Sequence, residues 1–138
     1  YQRNFDYNKF WTAATQSRQV VIARAYATSR GDKKQEEFQN ILRAIGFDVK
    51  LKPFIKRRDG SSKGDWDVGI TIDVIEYAQK SDIVVLASGD GDFDLLIKEI
   101  KTKFKTDTEI YGVPSSTAYS LIAEATHFKP IDEKLLLG

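Results

Sequence analysis

The sequence contains no cysteine, no methionine and a single histidine. Without cysteine there is no disulfide, no thiolate zinc site and no cysteine nucleophile. One histidine rules out a His-rich metal site and leaves at most one imidazole base. A metal held by this chain is therefore bound mainly through oxygen, which suits Mg²⁺, Mn²⁺ or Ca²⁺. No apolar run approaches the roughly 20 residues needed to span a bilayer, so no membrane partner is expected. Net charge is +1, which gives no global bias toward nucleic acid or a membrane surface. A chain that starts at Tyr1 and lacks methionine reads as processed or as a fragment. Internal repeats, low-complexity tracts and linkers are absent. What remains is 138 residues, 41% hydrophobic and 30% charged, the makeup of one soluble domain over 1–138. A cytoplasmic location is expected.

The apolar pattern alternates between helix and strand periods. Asp6 caps a helix to about Ser17, with Phe10, Trp11 and Ala14 inward. Gln19 to Thr28 is β-rich. Asp32 or Lys33 opens a helix with Phe38, Ile41, Leu42 and Ile45 at helical spacing, closed by Gly46. Phe47 to Ile55 alternates as a half-buried strand, near an edge because of Pro53. Lys56 to Gly64 reads as a charged loop. Asp65 or Asp67 opens a helix to about Lys80, with Val68, Ile72, Ile75 and Ala78 inward. Ile83 to Ala87 is a strand buried on both faces, followed by a helix on Phe93, Leu96, Ile97 and Ile100. Thr108 to Val113 is a strand, Ser115 or Ser116 caps a helix on Leu121, Ile122 and Ala125, and Phe128 to Ile131 is a last short strand. This order predicts an α/β fold with a mainly parallel central sheet and helices on both faces. Such sheets normally begin with a central strand, which is expected ahead of Tyr1.

The chain is organised around Ser88, Gly89, Asp90, Gly91, Asp92, Phe93 and Asp94, where a buried strand turns into a helix. Ligands bind outside the carboxyl ends of strands in such sheets. Three carboxylates within five residues repel one another and need a cation or open solvent. Helix capping accounts for one or two of them. An EF-hand loop fails, because Leu95 stands where its glycine belongs and Lys101 where its glutamate belongs. A dinucleotide fingerprint fails at Asp94, where a third glycine is needed.

Near-neutral overall charge hides two segregated blocks. Lys50 to Lys63 carries six bases (Lys50, Lys52, Lys56, Arg57, Arg58 and Lys63) against Asp59. Gly64 to Asp94 carries eight acids against Lys80. Either block can be a solvated surface. Together they can grip a polyphosphate backbone and hold a divalent ion beside it. If the helix opening near Asp67 packs on the Ile83 strand, Asp67 reaches the pocket of Asp90. Asp73 lies about 240° around that helix and does not share Asp67's face.

These residues together resemble the NYN domain of the PIN-like nuclease superfamily, in its LabA-like group. The resemblance rests on Lys63 and Gly64 ahead of Asp67, then Asp73, then the block from Ser88 to Phe93. It implies a three-layer α/β/α fold and acids at the carboxyl edge of the sheet. It also implies binding of Mg²⁺ or Mn²⁺ and hydrolysis of RNA phosphodiesters. Asp67, Asp90 and Asp92 match the family's metal-site acids, Asp73 a further acid on the same helix, Lys63 a basic residue before the first acid, and Ser88 the hydroxyl residue that opens the block. The sequence departs from the pattern in three places. The Asp that ends the family's first strand would fall before Tyr1, one extra residue separates Gly64 from Asp67, and Thr126 stands where an acid often follows Ala125.

The expected activity is metal-dependent ribonuclease action with Asp67, Asp90 and Asp92 as catalytic residues and metal ligands, and Asp73 as a further ligand. Lys63, Arg57, Arg58, Ser88, Ser115 and Ser116 are the expected contacts to single-stranded RNA. Trp66 is either a base-stacking ring or an aromatic packed under its loop. The oligomeric state is left open, a homodimer among the options. The main rival is an inactive RNA- or nucleotide-binding module of the same fold. A phosphatase-like hydrolase or a receiver ranks third, because the receiver's paired acids are missing and the late strand ends at Val113 and Pro114 without lysine.

Overall fold

A computed structural model describes residues 5–29, 32–53, 55–56, 62–63, 66–132 and 135. In chain order the elements are α1 (Tyr7–Thr15), β1 (Arg24–Ser29), α2 (Lys33–Ile45), β2 (Asp48–Pro53), β3 (Ile55–Lys56), β4 (Ser62–Lys63), α3 (Asp67–Ala78), β5 (Ile83–Ala87), α4 (Asp94–Phe104), β6 (Asp107–Gly112), α5 (Tyr119–Glu124) and β7 (His127–Pro130). Two 3₁₀ turns, Gly91–Phe93 and Pro114–Ser116, sit before α4 and α5. The expected α/β alternation with parallel strand pairs is present. Among the described residues, no helix is long and apolar enough to cross a membrane.

The chain divides into two compact units, Ser17–Ile70, and Tyr1–Gln16 together with Thr71–Gly138. In the first, β1 and β2 pair in parallel from Arg24 opposite Asp48 to Ser29 opposite Pro53, joined by α2. Asp32 caps α2 by accepting from the N–H of Gln35 at 2.7 Å. Gly46 ends it with φ of 136°, a backbone conformation that favours glycine. The strand expected from Gln19 begins only at Arg24, and Val20 and Val21 are exposed. The pairing with β2 begins at the same place: β2 starts at Asp48, whose N–H donates to Ala23 O at 2.8 Å. The inward face of α2 matches expectation at Leu42 but not at Phe38 and Ile41. Gln39 and Leu42 are buried, while Phe38 and Ile41 stand exposed. Lys56, Ser62 and Lys63, in the stretch expected as a loop, form with Ile55 an antiparallel pair, Ile55 opposite Lys63 and Lys56 opposite Ser62.

In the second unit the sheet order is β5-β6-β7, all parallel. The central strand β6 is flanked on both sides and carries the buried run Thr108 to Gly112. β5 coincides with the expected strand, but it pairs on one side only among the described residues. Ile83 to Leu86 are part-buried and Ala87 is exposed, rather than buried on both faces. Helix α4 packs Leu96, Ile97 and Ile100 inward behind Phe93, as its periodicity predicts. Thr108 and Thr126 clasp β6 to the start of β7: each backbone N–H donates to the other's Oγ1, at 3.0 and 3.1 Å. Asp6 caps α1 by accepting from Asn8 and Lys9, and Phe10 meets the ring of Tyr111 edge-on at 5.0 Å.

Helix α3 runs through the division between the units. Its inward face is the expected one only in part: Ala78 is buried as expected and Ile75 is part-buried, but Val68 and Ile72 are 73% and 60% exposed. Val68, Ile72 and Glu76 recur every four residues and form one exposed stripe. The predicted capping of the last helix by Ser115 or Ser116 is replaced by a 3₁₀ turn. Pro114 opens that turn, Thr117 Oγ1 donates to Val113 O at 2.7 Å, and α5 starts only after Ala118, which makes no side-chain cap.

Candidate metal centre

The acidic block leaves the end of β5 through Ser88 and Gly89. The N–H of Asp90 donates to Ser88 Oγ at 3.1 Å. Asp90 Oδ1 in turn accepts from the N–H of Asp92 at 2.9 Å and caps the 3₁₀ turn. These two local bonds fold the chain tightly, and both Asp90 and Asp92 remain exposed. Asp94 passes into the first turn of α4 and is part-buried, which gives it the favourable end of the helix dipole.

The turn is held from behind by a second loop. The N–H of Ala118 donates to Gly89 O at 3.0 Å. A Cβ at Gly89 would run into the carbonyl oxygen of Ser116, and one at Gly91 would stand 2.8 Å from the Cβ of Ala118. At the end of β6, Gly112 leaves room for Thr117 Oγ1. Gly89 and Gly91 are thus required by a segment that arrives from more than twenty residues downstream, through the backbone of Ser116 and the Cβ of Ala118. Sequence reasoning missed this wall. A glycine reports that something comes close, but not what.

Asp67 stands in the first turn of α3, where a carboxylate offsets the dipole of the helix start. Trp66 precedes it and is packed inward. Its indole N–H donates to Ala27 O at 3.0 Å, and its ring lies 5.5 Å from that of Tyr26. It also covers Gly69, where a Cβ would be 2.7 Å from Trp66 Cε3. Of the two readings for Trp66, the packed ring is the one observed.

Asp67, Asp90 and Asp92 each offer a carboxylate oxygen, and these oxygens all lie within 4.8 Å of one another. Oxygen ligands on opposite sides of one hard divalent cation are about 4–5 Å apart. The separation and the all-oxygen donor set therefore fit such an ion. Three like charges so placed are mutually repulsive without one.

Asp73 is not among the converging carboxylates. It lies six residues further along α3, about 9 Å of helical rise away and part-buried. Ser88 is engaged as the acceptor for Asp90 and supports the turn. Ser115 and Ser116 are exposed on the 3₁₀ turn after β6, and the carbonyl of Ser116 packs on Gly89. Lys63 ends β4, paired with Ile55. Arg57 and Arg58 lie outside the described residues.

The NYN domain family matches residues 1–132. The low amplitude and bright protein LabA of Synechococcus elongatus is 29% identical over 91 residues, which cover 62% of this chain and 49% of LabA. The chain thus spans about half the length of that curated relative. A crystal structure of a Vibrio parahaemolyticus protein of unknown function superposes with a TM-score of 0.94 at 54% identity, over 99% of this chain and 85% of that one. With a three-layer α/β fold, and with the family match running through the acidic block, the chain belongs to the NYN domain family, in its LabA-like group, within a nuclease-like superfamily.

Proposed function

We propose that this chain is a ribonuclease that uses Mg²⁺ or Mn²⁺ to hydrolyse phosphodiester bonds of single-stranded RNA in the cytoplasm. The observation that carries the reading is the convergence of Asp67, Asp90 and Asp92 within 4.8 Å. These three carboxylates hold the cation. Asp90 uses Oδ1 for the Asp92 N–H and keeps Oδ2 for ligation. When bound, a divalent cation lowers the pKa of a water and offsets charge on the attacked phosphate. The basic residues Lys63, Arg57 and Arg58 bind the polyanion, which the acids alone would repel. The exposed hydroxyls of Ser115 and Ser116 are available to a phosphate beside the Gly89 turn.

The test is cleavage of a labelled single-stranded RNA, followed on a gel with Mg²⁺, with Mn²⁺ and with chelator, using Asp90→Asn as control. Metal-dependent cleavage that the variant loses, while it still binds RNA, is the expected result. RNA binding by both proteins without turnover under any metal would leave a binding module of the same fold.

A further inference from the structure

Trp66 is turned inward on Ala27 and Gly69, which takes its ring out of use for stacking a base. Tyr119, the first residue of α5, is 83% exposed, the highest value among the described large apolar side chains. Its ring adds little to the core. Its backbone is nevertheless tightly placed. The preceding residue, Ala118, donates to Gly89 O at 3.0 Å, and its Cβ stands 2.8 Å from the position a Gly91 Cβ would take. Two residues later Leu121 is fully buried and anchors the helix. Tyr119 is therefore fixed one residue beyond a contact with Gly91, and Gly91 is flanked by Asp90 and Asp92.

An aromatic ring in open water, one residue from a contact with the acidic turn, suits one ligand chemistry, the face of an unpaired nucleobase. Bases in a duplex are stacked on one another and do not offer that face. We propose that Tyr119 is the stacking platform for a base next to the scissile phosphate, and that it selects single-stranded substrate. This inference rests on the ribonuclease reading and deepens it.

The test is fluorescence anisotropy with a labelled single-stranded RNA in chelator. The background is Asp90→Asn, which removes one repelling charge and keeps the strand intact. Tyr119→Ala and Tyr119→Leu are expected to weaken binding roughly 5- to 150-fold, the range of base–aromatic stacking, while Tyr119→Phe stays within about twofold. An oligonucleotide of abasic sites should bind with the weakened affinity and be indifferent to Tyr119. Equal affinity of Tyr119→Ala and its parent, or equal loss on the abasic strand, would overturn the proposal, as would no RNA binding by the parent. Metal-dependent cleavage by the unmodified chain tests the ribonuclease reading separately. Cleavage with KM unmoved by Tyr119→Ala would sink stacking alone, and Tyr119-dependent binding without cleavage would sink the nuclease alone.

Discussion

Asp90 has two roles that a pair of substitutions separates. Its Oδ1 caps the 3₁₀ turn through the Asp92 N–H, and its charge contributes to the convergent cluster. Asparagine keeps a carbonyl oxygen for the cap, so Asp90→Asn should hold stability within about 0.5 kcal/mol in urea unfolding, while Asp90→Ala should cost about 1 kcal/mol. Metal-dependent cleavage should fall in both, and by more than the roughly 10- to 100-fold that loss of an outer hydrogen-bond partner causes at a metal site. If only the alanine variant lost activity, the cap and not the charge would be what matters. Asp90 and Asp92 stood out in the sequence because carboxylates at alternate positions gather at a strand end, and Asp67 was joined to them through the family resemblance. The partners that fix them did not stand out. Ser88 was expected as a contact to RNA, and its Oγ accepts from the Asp90 N–H. Asp73 was expected in the cluster, but helix geometry alone carries it along and around α3.

At the scale of elements, legibility followed how many constraints a stretch carried. β5 and α4 were readable because a continuous apolar run and a four-residue apolar period leave one placement each. α2 and α3 were found, but their inward faces only in part. Leu42 and Ala78 are buried as expected, while Phe38, Ile41, Val68 and Ile72 are exposed and Gln39, a polar residue that apolar periodicity passes over, is buried. The β3–β4 pair is two residues on each side, too short for a period to show. The clasp between Thr108 and Thr126 joins residues that no local pattern links, and it supports a prediction about β7. Thr126→Val leaves the N–H of Thr108, on a residue with 0% exposure, without its acceptor. The expected loss is about 1–3 kcal/mol, the desolvation cost of an unpaired donor, read as a lower urea midpoint with unchanged slope. Thr126→Ser keeps the hydroxyl and should recover most of it.

Over the whole molecule, the first helix joins the unit that holds the last three strands, an arrangement that composition and order do not disclose. The contact is aromatic. Phe5 meets Tyr7 at 4.8 Å and Phe10 at 5.4 Å, and Phe10 meets Tyr111 on β6 at 5.0 Å. The N–H of Asp6 donates to Leu135 O at 2.7 Å, which ties the same helix to the far end of the chain. Burial holds the Tyr7 hydroxyl above its ordinary value of 10.0, because the phenolate is poorly solvated there. The folded state therefore keeps this proton at a pH where the unfolded chain has begun to release it. Below about pH 10 both states are neutral at Tyr7 and the group adds no pH dependence. Above it the unfolded state gains by ionising first, so stability falls as pH rises toward the folded-state value. Tyr7→Phe removes this ionisation and keeps the ring, so its urea midpoint should decline less than that of the unmodified chain between pH 9 and 11. Parallel declines in the two proteins would show that Tyr7 ionises as easily folded as unfolded, and that the aromatic junction between α1 and β6 does not exclude water from its hydroxyl.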